Sequence, residues 1–267
     1  IMQSVRESIR DAMAEEMRLD NDVFLMGEEV ADYQGAYKVS QGLVEEFGSD
    51  RIIDTPITEH GFTGVGIGAG LNKIKSVVTH QRLDFFLLAM DQLINGAAKY
   101  HYMYGSKLSV PITIRLIIGR GWGQGPTHSQ NLQAWFAHIP GLKVVMPSNA
   151  QDAKTLLLSA IHDPNPVIYL EHRWLHNSKG NVSKREIVEK LGKAKVLKKG
   201  KNITVISMSY MTVESMRAAI FLESKLNISI EVIDLRSIKP IDWEIIFKSV
   251  KKTGRVLVVD TGYTTGS

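Results

Sequence analysis

Apolar positions along this chain come in two alternating formats, short continuous runs and longer amphipathic stretches. Residues 5–17 are amphipathic at helical spacing and precede the apolar run Val23-Phe-Leu-Met26, which predicts a helix feeding a buried strand. The pattern then repeats. Strands are predicted at 51–55, 76–79, 112–118, 143–146 and 167–170, alternating with helical stretches at 62–72, 86–104, 129–138 and 149–162. Short apolar strands separated by helix-length segments imply an α/β fold with a parallel sheet covered on both faces. In such a sheet, functional groups gather at the C-terminal ends of the strands.

A polar stretch at 177–190 interrupts the alternation, and a basic run ending at 199–201 follows it. A new unit then begins, with strands predicted at 203–207, 229–233 and 255–259 and helices at 212–226 and 243–250. The expected organisation is a first domain over 1–184, a linker over 185–201 and a second α/β domain over 202–267. The chain stops directly after a buried-looking strand, so the second domain is expected to be incomplete. No internal repeat or low-complexity segment is visible.

Composition narrows the classes. A chain of 267 residues with 44% hydrophobic and 22% charged residues can bury a core, which sets disorder aside. No apolar run approaches the roughly 20 residues of a spanning helix, and the start lacks a secretory pattern. A soluble, cytoplasmic protein with no membrane partner is expected. The absence of cysteine removes disulfides, thiolate metal sites and cysteine nucleophiles. The formal charge of +4 is spread out, and the basic clusters at 193–201 and Lys251-Lys252 have no interleaved aromatics, so no nucleic-acid partner is expected.

The chemistry-bearing stretch is Thr55-Pro-Ile-Thr-Glu-His-Gly-Phe62. Pro56 biases Thr55 away from helix, so Glu59 belongs in a strand-to-helix loop or the first helical turn. Locally, Thr58 as N-cap with Glu59 as a first-turn acid accounts for it. Gly64, Gly66, Gly68 and Gly70 with Ala69 make a small-residue helix face for close packing. Gly64-x-Gly66-x-x-Ala69 with Asp84 also meets a loose dinucleotide fingerprint. The intervening Glu59 loop has the wrong register for it.

A second irregular loop, 119–130, carries four glycines and a proline and delivers His128 and Ser129 to the start of the next predicted helix. Loops of this length are more often functional than filler. There is no G-x-S-x-G elbow, so Ser129 beside His128 is not a hydrolase signature. His172 and His176 have i,i+4 spacing, but Arg173 occupies the position where a metalloprotease motif needs Glu, and no zinc site is assigned.

Several long, collinear stretches resemble the β subunit of the E1 component of the 2-oxo acid dehydrogenase complexes. They are MGEEVADYQGAYKVSQGL (26–43), RIIDTPITEHGFTGVGIGAG (51–70), AMDQLINGAAKYHYM (89–103), PTHSQ (126–130), AHIPGLKVVMPSNAQDAK (137–154) and IDLRSIKPID (233–242). The resemblance implies a pyrimidine-binding thiamine diphosphate domain followed by a truncated transketolase C-terminal-like domain. It makes Glu59 the proton partner of the cofactor's aminopyrimidine and His128 the active-site histidine that assists acyl transfer to lipoyl. Phe85 takes the position of the aromatic that stacks on the pyrimidine, and Ile57 that of an apolar cofactor contact.

The same resemblance places Glu28 and Asp91 in an acidic proton channel between paired active sites. It assigns Ile112, Ala160, Ile161, Asp163 and Asn165 to a monovalent-cation (K+) site built mainly from carbonyls; the local alternative is a helix-to-strand turn at Asp163-Pro-Asn-Pro166. The diphosphate- and Mg2+-binding G-D-G motif is missing and belongs in this family to the α subunit. An α2β2 heterotetramer is therefore implied, acting on a small 2-oxo acid such as pyruvate, with a lipoyl acyltransferase (E2) as a further partner. Three departures leave the 2-oxo acid unnamed: His60, Leu88, and the cationic, bulky loop GRGWGQGPTHSQ. The alternatives are half of a split transketolase-like enzyme, a non-catalytic assembly subunit, and a Rossmann oxidoreductase.

Overall fold

The computed structural model describes residues 1–184 and 187–266. Arg185 and Glu186, in the expected linker, and Ser267, at the end of the expected second domain, lie outside the described residues. The chain opens with β1 (Met2–Ser4) and α1 (Val5–Leu19), joined by a capping box that the sequence reading had not picked out. Ser4 Oγ accepts the Glu7 N–H at 3.3 Å, and the Glu7 carboxylate accepts the Ser4 N–H at 2.7 Å.

There follow β2 (Val23–Gly27), α2 (Leu43–Phe47), β3 (Ile52–Asp54), α3 (Glu59–Leu71), β4 (Lys75–His80), α4 (Leu83–Phe86) and α5 (Ala98–Met103). Next come β5 (Ile112–Ile118), α6 (Gln133–His138), β6 (Lys143–Val145), α7 (Ala150–Ile161), β7 (Val167–His172) and β8 (Lys179–Asn181), which pairs with β1. The remainder holds β9 (Lys195–Lys198), β10 (Ile203–Ser207), α8 (Tyr210–Leu226), β11 (Ile230–Asp234), β12 (Ser237–Lys239), α9 (Trp243–Thr253) and β13 (Val256–Val259). Among the described residues no helix is long and apolar enough to cross a membrane.

The large sheet has seven strands in the order β12-β6-β7-β5-β4-β2-β3, parallel except for β12. Its central strand β5 is buried at every residue; it is apolar except for Thr113 and Arg115, and Arg115 is paired with Glu171 at 2.7 Å. A four-stranded sheet, β13-β10-β11-β9, forms the second unit and is parallel except for β9. The small-residue face of α3 packs as expected at Gly66 and Gly70. A Cβ on Gly66 would lie 2.8 Å from Val78 Cγ2, and one on Gly70 3.2 Å from Val110 Cγ1.

Three expectations changed on folding. The single helix expected over 86–104 is broken into a 3₁₀ turn (Leu87–Ala89), a π-helical segment (Gln92–Ala97) and α5. Asn95 and Gly96, inside the π-helical segment, are weak helix formers. The helix expected from Ser129 begins only at Gln133, because the Asp84 carboxylate takes the Gln130 N–H at 3.1 Å and holds the preceding residues as a loop. Within the segment expected as linker, β9 is a strand, paired antiparallel with β11. Conversely, β12 of the second unit joins the large sheet beside β6.

A buried polar clasp ties the two sheets. Arg236 is only 2% exposed and reaches Asp152 at 2.9 Å and Glu189 at 2.7 Å. Beside it, Ser148 Oγ donates to the Asp234 carboxylate at 2.5 Å. Burial raises the Asp234 carboxyl to about 6, with the nearby Asp152 charge adding to the rise.

Candidate active site

The C-terminal ends of β2, β3, β4 and β5 open onto one cleft of about 400 Å³. Glu28 enters after β2, Ile57 and Glu59 after β3, Gln81, Arg82 and Phe85 after β4, and Gln124 and His128 after β5; Tyr37 completes the wall. This is where the sequence reading placed the chemistry. One close packing constraint shapes it. A Cβ on Gly27 would meet the Thr79 carbonyl oxygen at 2.2 Å, which requires glycine at the end of β2 just before Glu28.

Glu59 is the first residue of α3 and is buried, at 6% exposure. Thr58 holds the N-cap position, but its side chain makes no capping bond, so the local capping account of this motif is incomplete. Among the described residues, no donor is hydrogen-bonded to the Glu59 carboxylate. A buried carboxyl at a helix start, lining a cleft and lacking a protein partner, suits a ligand that brings its own nitrogen or proton.

Glu28 stands beside it. Its carboxyl is pushed above its ordinary value of 4.5 by burial, and then by the charges of Glu59 and Glu29. Its Oε1 is buried without a hydrogen-bond partner. Opposite the acids, the apolar side of the cleft is open: Ile57 is 80% and Phe85 40% exposed. The Phe85 ring meets the His128 imidazole edge to face, with centroids 5.0 Å apart at 78°. His128 Nδ1 lies 3.2 Å from Thr127 Oγ1.

Arg82, which the sequence reading passed over, holds the glycine-rich loop against the strand ends. Its Nη2 donates to the Gly119 carbonyl at 3.2 Å and to the His128 carbonyl, and its Nε donates to Asp84 at 3.3 Å. Asp84, the acid of the dinucleotide alternative, is therefore spent on the loop: one oxygen on Arg82, the other on the Gln130 N–H. Burial lowers the Arg82 pKa below its ordinary value, an effect Asp84 partly offsets. Tyr37, Gln81 and Gln124 were also missed; an Arg two residues past a buried parallel strand was the available signal for Arg82.

Other expected residues sit elsewhere. Asp91 is exposed, accepts from Asn95 Nδ2 at 2.7 Å, and lines a separate depression with Gly64, Asn95 and Tyr100. This chain does not bring it to Glu28. His60 and Leu88 are exposed and line no part of the cleft. In the expected cation site, Asp163 pairs with Lys143, and it takes the Asn165 N–H at 3.0 Å. The Ala160 carbonyl accepts the Asp163 N–H at 3.2 Å, and Ile161 closes α7 beside it, while Ile112 starts β5. His172 and His176 diverge: His172 stacks on Tyr210, while His176 Nε2 lies 2.9 Å from Glu171.

Residues 2–178 match the family described as transketolase, pyrimidine binding domain, and residues 192–267 match transketolase, C-terminal domain. The chain is 50% identical over 265 residues to the pyruvate dehydrogenase E1 component subunit beta of Rhizobium meliloti (strain 1021), an alignment covering 99% of this chain and 57% of that protein. It is 48% identical over 260 residues to the protein of the same name from Rickettsia bellii (strain RML369-C), covering 97% and 80%. The chain belongs to the pyruvate dehydrogenase E1 β-subunit family.

Membership of that family agrees with the mixed α/β architecture. In fold the chain is similar to a solved structure titled "Split gene transketolase, inactive beta4 tetramer", with a TM-score of 0.80 at 21% identity, covering 98% of this chain and 81% of that one. Transketolase from Leishmania mexicana aligns with a TM-score of 0.76 at 17% identity over 98% of this chain and 39% of that one. The chain thus spans a little over half of its Rhizobium relative and four-fifths of its Rickettsia relative.

Proposed function

We propose that this chain forms, with an α subunit, the active site of a thiamine diphosphate-dependent 2-oxo acid dehydrogenase E1, which decarboxylates a 2-oxo acid such as pyruvate and passes the acyl group to lipoyl. The observation that carries the proposal is Glu59: a buried carboxyl at the cleft floor with no protein partner, faced by an open apolar pair and a histidine. Those residues fit the aminopyrimidine end of the cofactor. Ile57 and Phe85 would hold its faces, and Glu59 would bond its ring nitrogen. When bound, thiamine diphosphate supplies the electron sink that decarboxylation of a 2-oxo acid requires.

The chain's own residues manage protons and water. With the cofactor bound, Glu59 would exchange a proton with the ring nitrogen, and Glu28, whose raised pKa keeps it protonated to higher pH than an ordinary carboxyl, would replenish it. His128, fixed through its own carbonyl by Arg82 and against Phe85 by its ring, orients the substrate and the incoming acyl acceptor. The α subunit holds the diphosphate and Mg2+, in an α2β2 assembly in the cytoplasm that hands its product to a lipoyl acyltransferase. Asp91 joins a proton path only across a second copy of the chain. A K+ ion near Ala160, Ile161 and Asn165 would rely on carbonyls, since Asp163 is committed to Lys143.

Reconstitution with the α subunit tests the reading. CO2 release from a 2-oxo acid with reductive acylation of a lipoyl domain, both dependent on thiamine diphosphate, is expected. Ketose-dependent two-carbon transfer in its place would favour the split transketolase.

A further inference from the structure

We propose that Tyr37 and Gln124 hold the carboxylate of the 2-oxo acid through two neutral donors, the phenol O–H and the side-chain amide, with Arg173 behind them as a positioning residue. This rests on the reading of the cleft as a 2-oxo acid site and assigns the partners of the group that is lost as CO2. Both residues line the cleft, and the proton chemistry of Glu28 and Glu59 uses neither. Among the described residues, neither the Tyr37 hydroxyl nor Gln124 Nε2 has a hydrogen-bond partner. The cleft wall therefore offers two free donors to a ligand that brings oxygens.

One guanidinium fixes both. Arg173 follows directly on β7, outside the cleft lining; its Cζ lies 4.6 Å from the Tyr37 ring centroid, and its Nη1 donates to Gln124 Oε1 at 3.2 Å. Arginine has no acceptor, so the amide oxygen of Gln124 faces it and the NH2 is left for the cleft. The Trp122 ring, also 4.6 Å from Cζ, confines the guanidinium further. Tyr37 is held from a second direction by the buried His176, with ring centroids 5.3 Å apart at 51°; Glu171 anchors His176, and Arg115 anchors Glu171. The backbone of Tyr37 sits in the left-handed region at φ 62°, as do those of Glu29, Gln34 and Lys38 in the same loop. Non-glycine residues persist there only where their surroundings over-determine them, and such strain gathers at functional sites. Neutral donors suit the reaction. A cation would hold the carboxylate most tightly while it still carries its charge and would oppose its departure as CO2, whereas a phenol and an amide orient it with less ground-state stabilisation.

The experiment compares the reconstituted α–β pair on pyruvate and on acetaldehyde, which is pyruvate without its carboxylate; in both cases the lipoyl disulfide is reduced as the acyl group forms, but only pyruvate releases CO2. Tyr37→Phe and Gln124→Leu are each expected to raise KM for pyruvate by about tenfold, the scale of one hydrogen bond to a charged group, with kcat little changed and KM for acetaldehyde unchanged. Gln124 is exposed, so its variant carries the test if Tyr37→Phe fails to assemble with the α subunit. Arg173→Met, which releases the Gln124 amide, is expected to copy the pyruvate-selective rise, and adding Gln124→Leu to it should raise KM by less than the product of the two single effects. Unchanged KM for pyruvate in both single variants, or equal rises on pyruvate and acetaldehyde, would overturn the inference while leaving the proposed function standing. A parent pair that turns over no 2-oxo acid would overturn the proposed function and the inference with it.

Discussion

Phe85 and His128 meet edge to face at 5.0 Å although they come from different loops, one after β4 and the other after β5. The contact exists because Arg82 donates to the His128 and Gly119 carbonyls while Asp84 accepts the Gln130 N–H. An Arg82→Met variant keeps much of the side-chain volume but removes those bonds. It is expected to lower kcat of the reconstituted pair by roughly tenfold to a hundredfold, the range for displaced catalytic geometry, and to speed proteolysis within 119–130. Unchanged kcat and unchanged cleavage would show that the loop is held by other contacts.

The glycines of α3 divide into two kinds. A Cβ on Gly66 would press on Val78, Ile112 and Met26 at 2.8–3.1 Å, whereas one on Gly68 would meet nothing within 4 Å. Gly66→Ala should therefore destabilise the chain by about 1–3 kcal/mol, and Gly68→Ala should stabilise it by about 0.5–1 kcal/mol. Chemical denaturation of the two variants side by side checks both signs.

Glu28 gives a pH signature. Its folded-state pKa is raised above 4.5, so the stability attached to its protonated form is fully present below that value and is lost as pH rises through the raised one. Glu28→Gln should melt higher than the parent chain at neutral pH, with the difference closing as pH falls to about 4. A difference that does not vary with pH would contradict the burial of this carboxyl beside Glu59.

Arg236 joins the two sheets through Asp152 and Glu189. Arg236→Ala strands the buried Asp152 with Lys195 as its remaining cation and should cost about 3–5 kcal/mol in a thermal or denaturant unfolding experiment.

Much of this arrangement was legible in the sequence. The short, largely apolar runs alternating with helix-length segments specified a parallel sheet, and a parallel sheet specifies where its loops deliver chemistry. Glu59, Ile57, Phe85 and His128 consequently lie in one cleft, as the motifs implied. What escaped the sequence is tertiary. Nothing local says that Asp84 will cross to Gln130 and delay a helix, or that the helix expected over 86–104 will break into 3₁₀, π and α segments. Strand pairing hid β9 in a basic stretch that reads as linker, because an edge strand needs only a partner and tolerates exposed lysines. Arg173 was visible as a residue, but its aromatic slot forms only when Tyr37 and Trp122 arrive from two other loops.

The central claim is that the partnerless carboxyl of Glu59 exchanges a proton with a bound ring nitrogen. Glu59→Gln preserves shape and removes the exchange, so the decisive measurement is CO2 release by the variant pair, with assembly and thiamine diphosphate binding measured alongside. A loss of about a hundredfold or more in kcat with an intact complex is the predicted result; decarboxylation at the parent rate would contradict the account.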